Sequence, residues 1–137
     1  MGRNTLAGIA GVLIAVALVW LVEMLGHAVY PPPTGLDFAD PQAMEAYMDS
    51  IPLGAMLFVA AAWFVGTLGG TCAACAIGTA RPAIFAAIVG GLMLVATAIN
   101  LFMIPHPVWF SVLGIAGIVI AAWLGTRCTR ATAGNDE

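Results

Sequence analysis

Residues 22 to 33, "VEMLGHAVYPPP", set a glutamate and a histidine one helical turn apart inside an apolar stretch. Trp20, Glu23, His27 and Tyr30 recur at i, i+3, i+7 and i+10, which puts them along one stripe of a helix. A carboxylate and an imidazole at that spacing can exchange a proton, pair as ions or hold a cation. Later segments add polar groups that can meet them. Thr97 and Asn100 share a helical face, His106 sits in a "PHP" turn, and Ser111 opens the following apolar block. An ionised carboxylate in hydrocarbon is expensive, so Glu23 is expected to face a bundle interior, protonated or paired with His27. The cluster then reads in two ways. It is a structural knot between elements, or a polar pocket in which Trp20, Glu23, His27, Tyr30, Thr97, Asn100, His106 and Ser111 bind a proton, a cation or a small polar ligand.

Glu23, His27 and His106 also make a candidate metal set for a divalent ion or Cu(I). A hydrolytic metal centre would add a further protein ligand and a general base, and only Asn100 and four loop acids are on offer. That shortage reads against an enzyme.

The elements that must position these groups follow from composition. Apolar residues make up 62% of the chain and charged ones 8%, with a mean hydropathy of +1.03; soluble domains carry about a quarter charged residues. The chain is expected to be an integral membrane protein whose first partner is the lipid bilayer. Its 137 residues hold four spans of about 20 residues each and little else. Four basic residues without a basic run give nucleic-acid binding no support. Apolar blocks at about 6–28, 51–77, 82–103 and 108–126 predict one all-α domain over residues 1–137, a bundle of four transmembrane helices. The run from Leu6 to Val22 is longer than the apolar region of a signal peptide, which predicts a retained first span.

Arg3 precedes the first span, Arg81 lies between the second and third, and Arg127 and Arg130 follow the fourth. The positive-inside rule puts both termini in the cytoplasm and the 31–50 loop outside, with a bacterial inner membrane as the expected location. In that loop, Asp40 followed by Pro41 predicts the N-cap and first turn of a short helix reaching about Asp49. Met44, Tyr47 and Met48 share one of its faces, which predicts a helix lying flat on the outer membrane surface; the other reading is a lid.

Small residues recur at four-residue spacing: Gly66, Gly70 and Ala74, then Ala83, Ala87 and Gly91, then Gly117, Ala121 and Gly125. Such ridges let helices approach closely within the bundle or across a homo-oligomer seam. Five methionines (Met24, Met44, Met48, Met56 and Met103) fall in the outer half with both histidines, a donor set that suits Cu(I). Against copper, no span contains an M-x-x-x-M pair, and an interfacial helix face accounts for Met44 with Met48. Cys72 and Cys75 form a C-x-x-C at the inner end of the second span, and Cys128 follows the fourth. On the reducing side, away from both histidines, they suit neither a disulfide-generating centre nor a four-ligand zinc site. They are expected to be small apolar residues in a packed ridge.

"VEMLGHAVYPPPTGLD" followed by "NLFMIPHPVW" resembles a group of small four-span bacterial inner-membrane proteins with no established function. The marks are Glu23, Gly26, His27, Tyr30, Pro31, Asn100, Pro105, His106 and Pro107. The resemblance implies the fold and the membrane and brings no chemistry. A looser likeness is to the small multidrug transporters, which also carry a glutamate in the first of four spans. Their later motifs are missing here, the outer loop is longer, and the arginines are one-sided. Three functions follow: a small transporter or accessory subunit built round the polar pocket, an intramembrane enzyme or metal protein using Glu23, His27 and His106, or a purely structural subunit. The first is the expectation.

Overall fold

The structure, a computed structural model, describes residues 2–37 and 39–128. Arg130, used above to orient the chain, lies outside them. Five helices follow in order: α1 (Gly2–Val29), α2 (Pro41–Ser50), α3 (Leu53–Ile77), α4 (Pro82–Met103) and α5 (Val108–Gly125). Four of them are long and apolar enough to cross a membrane. No strand occurs among the described residues. Proline sets most of the punctuation. Pro41 and Pro82 take first-turn positions, Pro52 and Pro107 sit at N-caps, and Asp40 accepts from the amide of Gln42 at 3.0 Å. The expected boundaries hold within a few residues except at the start, where α1 begins at Gly2 rather than near Leu6.

That early start has a purpose visible in the side chains. Asn4 Oδ1 accepts from the amides of Thr79 and Ala80 at 2.8 and 3.1 Å, and Arg3 donates to the Ile77 carbonyl at 2.7 Å. The first turn of α1 therefore caps the C-terminal end of α3, where a cation also meets the negative pole of the helix dipole.

Helix α3 is the centre of the bundle, packing most extensively on α1, then on α5 and α4. The small-residue ridges explain this order. A Cβ on Gly11 would lie 2.7 Å from the Gly70 carbonyl oxygen and 2.7 Å from the Ala74 Cβ, so the two backbones approach as closely as glycine permits. Gly66, Gly70 and Ala74 form that seam, Gly125 and Ala121 turn α5 inward, and Gly125 abuts Thr71. The third ridge does not face in. Ala83 and Ala87 are exposed, and a Cβ on Gly91 would meet nothing within 4 Å. This ridge borders a groove of about 680 Å³ between α4 and α5, whose polar lining is confined to the Arg81 and Thr126 end.

Two expectations are revised. Met44 is only 9% exposed and Met48 packs against the core, so the apolar face of α2 turns into the bundle rather than onto lipid. The cysteines are not all passive filler either: Cys72 and Cys128 are joined as a disulfide with Cα atoms 5.6 Å apart, linking the ends of α3 and α5, while Cys75 is free and buried. Trp63 is buried against Phe110, with ring centroids 5.4 Å apart.

The seam predicts a contrast between two glycines. Gly11→Val should force α1 off α3 and lower stability by about 1–3 kcal/mol, whereas Gly91→Ala, which points into open space in the middle of α4, should leave it unchanged or raise it by up to about 1 kcal/mol. Unfolding of the purified protein in mixed micelles measures both; equal stability of the two variants would refute the seam.

Candidate functional site

At the end of the bundle formed by the C-terminus of α1 and the N-terminus of α3, a cavity of about 280 Å³ opens under α2. Helix α1 contributes Glu23 and His27 to its wall, and Tyr30 follows directly after its last residue; Asn100 comes from α4 and His106 from the turn before α5. These five candidates, far apart in sequence, are brought to one space. The other three are not. Trp20 is 64% exposed on the outer surface of α1, Thr97 is buried in the helix packing, and Ser111 does not reach the cavity.

Helical geometry explains the split in the α1 stripe. At about 100° per residue, Trp20 and His27 fall on one edge of the stripe and Glu23 and Tyr30 on the other, about 60–80° round from Trp20. The seam with α3 takes the second edge inward, so Glu23 and Tyr30 are half-buried while Trp20 and His27 stay exposed. Two glycines permit the approach at this end. A Cβ on Gly26 would sit 3.0 Å from that of Phe58, and Gly54 leaves the space that the Tyr30 hydroxyl fills. Tyr30 then meets Phe58 edge-on with centroids 6.1 Å apart.

The polar atoms here are not mutually satisfied. Asn100 Oδ1 is buried without a hydrogen-bond partner. A knot tying the spans together would have spent this acceptor on Glu23 or a neighbouring donor, since orphaned buried acceptors carry a desolvation penalty. His106, by contrast, is held firmly. Its Nδ1 lies 2.8 Å from the Ile104 carbonyl oxygen, and its ring stacks on Phe110 at 4.9 Å and 12°. A carbonyl can only accept, so Nδ1 carries the proton and Nε2 of the neutral ring keeps its lone pair. Burial pushes the His106 pKa below its ordinary value, and the Ile104 hydrogen bond only partly opposes this.

Sequence reasoning missed the apolar half of the wall. Met44, Tyr47 and Met48 roof the cavity from α2, Met56 and Phe58 line it from α3, and Phe110 closes it from α5. The signal was present in the i, i+3, i+4 face of α2; what the pattern could not say was which side that face would meet. Among the described residues, no group of three His, Cys, Asp or Glu is placed to hold a metal ion, so Glu23, His27 and His106 share the cavity without forming a metal cluster. No protein-family model, curated protein or solved structure matches this chain.

The His106 environment fixes the sign of a pH effect. A base whose folded-state pKa is depressed binds fewer protons folded than unfolded, so its contribution is present above the ordinary imidazole range and is lost as pH falls through that range. Thermal stability in detergent should therefore drop between about pH 8 and about pH 5, and His106→Gln should flatten that part of the slope. A slope unchanged by the substitution would remove His106 as its source.

Proposed function

We propose that this protein is a small multi-pass transporter or accessory subunit of a bacterial inner membrane, akin to the four-span group it resembles. Its outward-opening pocket takes a proton, a cation or a small polar ligand. The observation that carries the reading is the meeting of Glu23, Asn100 and His106, far apart in sequence, in the wall of one cavity, with the Asn100 Oδ1 buried and unpaired in that wall. A carboxylate, an amide and a neutral imidazole gathered in one wall without bonding to one another can take a donor or cation from outside the chain. Helix α2 over the cavity supports a lid, because Met44 and Met48 reach down from it.

The orientation rests on charge. Arg3, Arg81 and Arg127 gather at one end of the bundle, while Asp37, Asp40, Glu45 and Asp49 lie in or beside α2 at the other. Placing the arginines inside puts the cavity outside and the Cys72–Cys128 disulfide at the inner end, where a reducing compartment would open it. With the native cysteines replaced, a cysteine substituted for Thr34 should react with an impermeant maleimide on intact cells, and one for Thr79 only after lysis. Labelling of the Thr79 position in intact cells would invert the orientation.

The role of Glu23 is tested by Glu23→Gln, which keeps shape and hydrogen-bonding capacity and removes the ionisable group. The variant should fold as the parent does and lose one component of proton release when purified protein is taken through a pH step in weak buffer. Superimposable traces would eliminate an ionising pocket and leave Glu23 a structural residue.

A further inference from the structure

We propose that the outer cavity is a site for a soft monovalent d10 cation, Cu(I) or Ag(I), bound by the thioethers of Met44, Met48 and Met56 and by Nε2 of His106. The inference rests on the pocket reading above and names the class of its cargo. Of the two sequence arguments against copper, the lack of an M-x-x-x-M pair within a span stands, since Met44 and Met48 lie in α2, and the other was that an interfacial helix face accounts for these two. The fold removes it: Met44 is 9% exposed, Met56 is 7% exposed, Met48 packs on the core, and all three line one cavity. The other described methionines do not. Met24 and Met103 point outward, at 46% and 75% exposure, and Met93 is buried away from the cavity wall. Met44 and Met48 also stand at i and i+4, one above the other on a single helix face.

His106 supplies the second, independent observation. An imidazole that ligates a metal through one nitrogen commonly donates its other N–H to a backbone carbonyl, which fixes tautomer and ring direction. The Nδ1 contact to Ile104 at 2.8 Å and the stacking on Phe110 do this here before any ion arrives. Neutral thioether and imidazole donors suit Cu(I) and Ag(I) and offer little to zinc, calcium or magnesium. Among the described residues, the harder divalent ions also lack a cluster of three His, Cys, Asp or Glu. An uncharged donor set would leave the bound ion its positive charge, and Glu23 in the same wall provides the counter-charge.

The test uses the intact chain with its methionine methyl groups carbon-13 labelled, in detergent, with signals assigned by single Met→Leu variants that conserve volume. Silver nitrate is titrated past saturation of the free thiol of Cys75. The methyl signals of Met44, Met48 and Met56 should shift together while those of Met24, Met93 and Met103 stay in place, and zinc should move none of them. In a chain with its cysteines replaced by alanine, each Met→Leu change should weaken Ag(I) binding about tenfold, as should His106→Gln. Anaerobic competition against a Cu(I) chelator should rank the variants in the same order. Cavity methyl signals that ignore silver, or that move no more than those of Met24 and Met103, would overturn the assignment. If they ignore silver while Glu23→Gln still alters proton release, the soft-cation inference falls and the pocket stands; if both fail, the pocket reading falls with it.

Discussion

The contact of α1 with α3, backbone against backbone at Gly11 and Gly70, is the constraint from which the rest of the molecule follows. Helices in lipid have no hydrophobic force pulling them together, because the surrounding tails are as apolar as their own side chains. Association must come from close packing, and close packing needs surfaces without bulk. The seam meets that need for the first and third helices, and Gly125 against Thr71 meets it for the fifth. Once α1 lies this close to α3, Glu23 and Tyr30 have no option but to turn toward the bundle, and their position is a by-product of glycines one to three turns away.

The cavity occupies the place where this packing gives out. Below it, Trp63, Phe110 and Met93 fill the interior. Above it, α2 supplies a roof from a segment that is neither a span nor a tether. A wall made of one carboxylate, two imidazoles, an amide and three thioethers combines hard and soft donors in one small volume. Such a mixture is poorly suited to holding helices together, since an apolar filling would pack as well without the desolvation penalty.

Much of the fold was legible in the sequence, because length and composition alone separate helices long and apolar enough to cross a membrane from one that is not. The four long apolar helices, the Asp40 cap and the short loop helix could all be read from local patterns. Five of the eight candidate site residues meet in one cavity because Glu23, His27 and Tyr30 share one local helical stripe and Asn100 and His106 lie at the same end of the bundle. What could not be read was rotation. Trp20 shares a stripe with Glu23 yet faces outward, Met44 was expected to meet lipid and meets the cavity, and the ridge of Ala83, Ala87 and Gly91 faces away from the bundle. Helices that are apolar all round carry no amphipathic signal to say which face goes in. Only the contacts with other helices decide it, and those are long-range.

The clasp at the opposite end then acquires a meaning beyond capping. A ridge of small residues repeating every four positions is nearly self-similar, so α1 could slide along α3 by one turn, about 5.4 Å, and still find grooves for its glycines. Such a slip would carry Glu23 up or down by the same distance and pull the carboxylate out of line with Asn100 and His106. Asn4 and Arg3, fastened to Thr79, Ala80 and Ile77, admit only one of these alignments. Arg3 and Asn4, in the first turn of α1, thus work as the zero mark of a ruler, and the depth of an acid nineteen residues beyond Asn4 is measured from them.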